Sequence, residues 1–244
     1  MLTAAIQRTA LVAIVCQRIL TGNLRRPGPP GFRRKVSRGF SGALGGLLGV
    51  GLALSGLVQA ATAPNAILVL GDSLSAGYGV KVDATWVALL ERRLATQGYG
   101  YRVVNASISG ETTAGGLTRL PALLEKHRPA ITVIELGAND ALRGLPMAGT
   151  EANLRRMIGM ARSSGSRALL VGMMMPPNFG PAYARQFNQM FGRVATSEKV
   201  ALVPFLLEGF ADDLAWFQPD RVHPTAKAQP RMLDNVWPVL SEML

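Results

Sequence analysis

The feature that most constrains this 244-residue chain is an alternation: short, continuous apolar runs recur between segments of helical spacing from residue 65 onward. Ala66–Leu70 and Ala130–Leu136 are nearly unbroken apolar runs, as expected of strands buried on both faces. Tyr101–Ile108, Arg167–Met173 and Val200–Phe205 read as three further strands. Between them, Thr85–Gln97 has helical spacing, with Trp86, Leu89, Leu90 and Leu94 on one side. Thr113–His127 does the same with Leu117, Leu120, Leu123 and Leu124, although Pro121 predicts a break or a late start there. Glu151–Ser163 and Tyr183–Ser197 are also helical, and Thr225–Leu244 closes the chain with a helix interrupted early by Pro230. Strands alternating with helices call for a parallel sheet covered on both faces. The expected architecture is therefore α/β: a three-layer α/β/α sandwich around a doubly wound, five-stranded parallel sheet. In such sheets ligands bind beyond the carboxyl ends of the strands, so chemistry is expected in the loops that follow them.

Composition narrows the function classes. At 48% hydrophobic and 17% charged the chain is globular in type. Its net charge of +11 suggests a nucleic-acid binder until the distribution is examined. Residues 1–60 hold 8 of the 26 Lys and Arg and none of the 15 Asp and Glu. Residues 61–244 keep 18 basic against 15 acidic residues, an ordinary balance with no basic stripe, so no nucleic-acid partner is expected. The one cysteine, Cys16, lies in the N-terminal segment, so the remainder has neither a disulfide nor a thiolate metal site. Only His127 and His223 are available as histidines, which excludes a His-rich zinc site. No metal and no cofactor is expected.

The N-terminal segment reads as an address. Arg33-Arg-Lys-Val-Ser-Arg38 is followed by an apolar, Gly-rich stretch from Gly42 to Val58 and then by Val58-Gln59-Ala60. A basic region, an apolar region and a small-residue end describe a secretory signal peptide cleaved near Ala60. The alternatives are a buried helix or a retained anchor, and the glycines make the stretch a weak membrane helix. Arg25-Arg-Pro-Gly-Pro-Pro-Gly31 is a turn-rich linker, and a true start near Val36 accounts for the odd first residues. The expected division is 1–60, N-terminal extension and signal peptide, and 61–244, one catalytic domain in the periplasm or outside the cell.

The loops after the strands carry the chemistry. The first strand runs into Gly71-Asp72-Ser73-Leu74-Ser75, the second into Ser107-Ile-Ser-Gly-Glu-Thr112, and the third into Gly137-Ala-Asn-Asp140. Asp220-Arg-Val-His-Pro224 precedes the last helix. These are the parts of a serine hydrolase. A serine hydroxyl is a weak nucleophile until a base takes its proton, and a histidine such as His223 can do that near neutral pH. Asp220, three residues earlier, can accept the other ring N–H and fix the tautomer. The backbone N–H groups of Ser73 and Gly110 and the side-chain NH₂ of Asn139 are candidates for an oxyanion hole. Glycine at 110 permits close backbone approach, and a strand-to-helix turn places Ser73 where negative charge is favoured. The G-x-S-x-G elbow of α/β-hydrolases is missing, because Ser75 stands in place of its second glycine.

Gly71-Asp72-Ser73-Leu74 resembles the GDSL signature of the SGNH hydrolase family, whose Ser, Gly, Asn and His match Ser73, Gly110, Asn139 and His223. Its Asp-x-x-His motif matches Asp220 and His223. Asn105–Thr112, Arg119–Leu124 and Leu142–Pro146 resemble the bacterial branch with acyl-CoA thioesterase I, lysophospholipase and arylesterase activities. Ala138, where close relatives often carry Gly, and Met173-Met-Met-Pro-Pro177 depart from that branch. The resemblance covers nearly all of residues 65–244 and implies a flavodoxin-like sandwich that hydrolyses acyl esters and thioesters through an acyl-enzyme. Its partner would be a small acyl ester or thioester, with membrane contact only through lipid substrates or an uncleaved leader. A carbohydrate O-acetyl esterase on the same fold, or a non-catalytic acyl-chain carrier, are the alternatives.

Blander roles are open to several of these residues. Ser73 can cap a helix, and Asn139 and Asp140 can be turn residues. Asp72 is expected to shape its loop, and His127, between Lys126 and Arg128, to sit on a solvated helix end. Met174, Met175 and Phe179 are expected to line an acyl-chain groove, because methionine fills irregular apolar space; filling the core beneath the fourth strand is the competing role.

Overall fold

The computed structural model describes residues 65–176 and 179–244, so the signal-peptide reading of residues 1–60 lies outside the described residues. Each of the five apolar runs forms a strand: β1 (Asn65–Gly71), β2 (Tyr101–Asn105), β3 (Ile131–Glu135), β4 (Arg167–Val171) and β5 (Ala201–Val203). All pair in parallel in the order β2-β1-β3-β4-β5. β1 and β3 occupy the interior of the sheet, and Ile67, Leu68, Val69, Leu70, Ile131, Val133 and Ile134 are all 0% exposed. Burial on both faces is what their unbroken apolar sequence requires.

Seven α-helices connect the described strands: α1 (Ser73–Ala76), α2 (Trp86–Thr96), α3 (Thr113–His127), α4 (Ala138–Leu142), α5 (Met147–Ser163), α6 (Pro181–Glu198) and α7 (Gln229–Ser241). α2 packs against α7, and α3 against α5, which in turn meets α6. Right-handed crossovers from β1 outward to β2, and then back across to β3, put these groups on opposite faces of the sheet. The expected three-layer, doubly wound architecture is thus the one observed. The strand order reverses at β1, so the crevice between the loops after β1 and β3 is where such a sheet binds its ligand.

The structure corrects several expected boundaries. α3 runs unbroken through Pro121. Thr112 caps its start by accepting the Gly115 N–H, and the buried stripe Leu117, Leu120 and Leu124 spans the proline. That burial outweighs a penalty of about 3 kcal/mol, and Pro121 itself faces outward. Gly116 lets α3 lie close on the sheet, since a Cβ there would overlap Leu136 Cδ1. The one-turn α4 is absent from the sequence reading, and α5 begins at Met147, ahead of the expected Glu151. β2 stops at Asn105 rather than Ile108, and β4 at Val171 rather than Met173. Pro230 lies in the first turn of α7, where a missing N–H is tolerated, rather than interrupting the helix.

Candidate active site

The turn that carries Ser73 begins where β1 runs out. A Cβ on Gly71 would stand 2.7 Å from Ser75 Cβ and 2.8 Å from Glu135 Oε2, so only glycine fits. Asp72 caps α1: its Oδ1 accepts the Leu74 N–H at 3.0 Å. Capping therefore belongs to Asp72 and not to Ser73, which opens α1 with its hydroxyl free for other work. Ser73 Oγ lies 2.9 Å from His223 Nε2.

The loop after β5 delivers the histidine. Phe217 and Pro224 form an antiparallel bridge, and the Gln218 N–H donates to the His223 carbonyl at 2.8 Å. Gln218 Nε2 also donates to the Tyr78 carbonyl at 2.6 Å, tying this loop to the one that follows α1. Inside the turn, Asp220 Oδ1 accepts the Val222 and His223 N–H groups at 2.9 and 3.0 Å. Its Oδ2 lies 2.7 Å from His223 Nδ1. Asp220 accepts at Nδ1, so the ring presents Nε2 as an acceptor to the Ser73 hydroxyl. Partial burial pushes the Asp220 carboxyl up, but the amides of His223 and Val222 and the His223 ring outweigh it and hold it below the usual carboxylate range. The Tyr78 ring lies over the imidazole, 4.4 Å between centroids and tilted by 37°.

Asn139 sits in the first turn of α4, and its Nδ2 donates to Asp72 Oδ2 at 3.0 Å. Gly110 has φ +78°, and its carbonyl accepts from Arg143 Nη2 at 2.8 Å. A Cβ there would meet nothing nearer than Arg143 at 3.4 Å, so left-handed backbone rather than crowding calls for glycine. Residues from the loops after β1, β2, β3 and β5 are in this way collected along one edge of the sheet.

Beneath them lies a group of buried acids. Asp72, Glu135 and Asp140 are 1%, 0% and 2% exposed. Glu135 Oε2 accepts from Ser75 Oγ at 2.7 Å and from the Asp72 N–H at 3.3 Å, whereas Oε1 has no partner among the described residues. Burial, reinforced by the neighbouring Asp72 charge, pushes the Glu135 carboxyl well above its usual range. Burial also raises Asp72, to about 7, against the opposing Leu74 amide and Asn139 side chain. Asp140 accepts from the Thr113 N–H at 2.8 Å, from Thr113 Oγ1 at 2.5 Å and from Thr150 Oγ1 at 3.3 Å. It therefore ties α3, α4 and α5 together and is no simple turn residue. Sequence reasoning missed Glu135 and this role of Asp140; the signal was an acid inside an otherwise apolar run.

The remaining candidates separate. Met174 is 41% exposed, whereas Met175 is 6% exposed within the core, its N–H on Asn188 Oδ1 at 2.8 Å. Phe179 is half-buried against that core. His127 ends α3 at the opposite edge of the sheet from Ser73.

A serine, a histidine and an aspartate in one hydrogen-bonded line at the switch point of a doubly wound sheet are the arrangement of a serine hydrolase. The profile of the GDSL-like lipase/acylhydrolase family matches residues 69–230, and the chain belongs to that family. It is 53% identical to the esterase TesA of Pseudomonas aeruginosa over 193 residues, 79% of this chain and 96% of that protein. It is 40% identical to thioesterase 1/protease 1/lysophospholipase L1 of Escherichia coli over 174 residues, 71% of this chain and 82% of that protein. The crystal structure of the psychrotrophic esterase EstA from a Pseudoalteromonas species, inhibited by monoethylphosphonate, superposes with a TM-score of 0.70. That structure is 37% identical, covering 73% of this chain and 97% of that one.

Proposed function

We propose that the protein hydrolyses acyl esters and thioesters through an acyl-enzyme on Ser73. The observation that carries the reading is the unbroken line Ser73 Oγ–His223 Nε2 at 2.9 Å and His223 Nδ1–Asp220 Oδ2 at 2.7 Å. Ser73 Oγ attacks the carbonyl carbon as its proton passes to His223 Nε2. The tetrahedral oxyanion is held by the backbone N–H groups of Ser73 and Gly110 and by Asn139 Nδ2. Collapse breaks the bond to the alcohol or thiol, which leaves with the proton from His223. Water then attacks the acyl-enzyme, gives its proton to His223, and the acid departs as Ser73 recovers its hydrogen. Asp220 keeps the ring in one tautomer and stabilises the transient imidazolium.

Exposed Met174 and half-buried Phe179 are the surfaces offered to the chain beyond the carbonyl, with Met175 beneath them. Residues 61–244 form the hydrolase domain, and residues 1–60 direct it out of the cytoplasm. Small acyl substrates are the partners. A fluorophosphonate probe tests the nucleophile: it should label the wild-type protein once and leave Ser73→Ala unlabelled. A series of p-nitrophenyl and acyl-CoA esters from acetyl to lauroyl tests the substrate class. Turnover confined to acetyl esters would favour carbohydrate deacetylation, and labelling without turnover of any member would sink the hydrolase reading.

A further inference from the structure

Asp72 precedes the nucleophile, is 1% exposed, and takes no part in the proton relay. Its two oxygens divide between two tasks. Oδ1 caps α1 at Leu74, and Oδ2 accepts from Asn139 Nδ2 across the crevice between the loops after β1 and β3. A side-chain amide has two orientations of nearly the same shape, with N and O exchanged. Only the NH₂ end can face a carboxylate oxygen favourably. We propose that Asp72 is a positioning residue for acyl transfer: its carboxylate selects the orientation of the Asn139 amide and so keeps the second N–H of that amide available to the oxyanion. This rests on the oxyanion role given to Asn139 above.

The surroundings fit that task. Glu135, from β3, holds the Asp72 N–H and Ser75 Oγ, which fixes the turn carrying the carboxylate. Asp140, from α4, is the other acid facing Asp72, and Thr113 and Thr150 already occupy it, so it does not compete for the amide. Capping alone needs one oxygen, which an asparagine supplies equally well.

Asp72→Asn separates the two tasks. If its carbonyl keeps the Leu74 cap, its NH₂ faces the Asn139 NH₂, and two donors cannot share that contact. Asn139 must turn over and withdraw its donor. The expected loss in kcat is ~10²-fold, close to that of Asn139→Ala. KM should change by no more than about twofold, and Tm should not fall. Added to Asn139→Ala, the same substitution should cost less than about threefold more, because the two act as a unit. Equal losses in both backgrounds, or near-normal kcat in Asp72→Asn beside a crippled Asn139→Ala, would overturn the proposal alone. A fully active Asn139→Ala would remove the oxyanion assignment and the proposal with it. Should Asp72→Asn fail to fold, the side-chain amide spectrum of ¹⁵N-labelled wild-type protein decides. One Asn139 Nδ2 proton should exchange slowly, and two protons exchanging at solvent rates would overturn the idea.

Discussion

Asp220 shows how much a single residue carries here. Three N–H donors converge on its carboxylate and outweigh its partial burial, so its pKa is lowered from 3.8. The sign follows directly. A depressed carboxyl contributes stability that is whole above about pH 4 and is lost as pH falls through the folded value. Asp220→Ala should lower kcat by ~10²–10⁴, less than Ser73→Ala or His223→Ala at ~10³–10⁶, since His223 keeps its accepting nitrogen. Steady-state kinetics on the four enzymes check that order, and a His127→Ala loss equal to that of His223→Ala would reverse the assignment of the base. The Tyr78 ring over His223 is exposed, and its contact is worth about 0.5–1.5 kcal/mol. Tyr78→Ala should therefore cost about 3–10-fold in kcat/KM with little change in Tm. Ser73, Gly110 and Asn139 were legible as candidates because each stands in a small polar segment that follows an apolar run, and Asp220 and His223 because they form an Asp-x-x-His pair ahead of the last helix. Glu135 was not. Its place in an apolar run signals burial, but only the pairing of β3 between β1 and β4 brings it beneath Asp72 and Ser75.

The elements were legible in kind and less so in extent. Periodicity located the five strands and the long helices, because burial imposes it. It passed over α4, a single turn whose start is fixed by Gly137 at φ +124° rather than by any apolar stripe. It misjudged Pro121, because local propensity competes with a buried face that only the folded sheet supplies. Two tests belong at this scale. Gly116→Ala should lower stability by about 1–3 kcal/mol, the usual cost of overpacking, since its methyl would be driven into Leu136. Asp140→Ala strands the Thr113 amide and hydroxyl at the junction of α3, α4 and α5 and should cost about 1–3 kcal/mol for each buried group left unpaired. Thermal or urea unfolding measures both. The same logic divides the methionine loop. Met175→Ala should destabilise by about 2–5 kcal/mol as a core truncation, whereas Met174→Ala should flatten the acyl-chain-length profile at unchanged Tm.

At the scale of the whole molecule, the buried acids set a pH response. Asp72 binds its proton more tightly folded than unfolded, with a pKa of about 7 against 3.8. Stability must therefore fall as pH rises from about 4 to about 7, and Glu135 acts in the same direction. Urea midpoints across that range should decline in wild type and decline less in Asp72→Asn; a parallel slope would contradict the burial argument. Charge segregation, with the basic excess in residues 1–60, leads to a second expectation, that protein recovered from outside the cytoplasm begins at Ala61 by intact mass. Sequence distance adds one more consequence. Ser73 and His223 are 150 residues apart, and α7 closes the far layer through Gln229 Oε1 on the buried Trp86 N–H and Asp234 on Arg93. The pair is brought together by tertiary structure alone, so any loosening that parts the loop after β5 from the end of β1 separates the hydroxyl from the imidazole even while each strand keeps its place in the sheet.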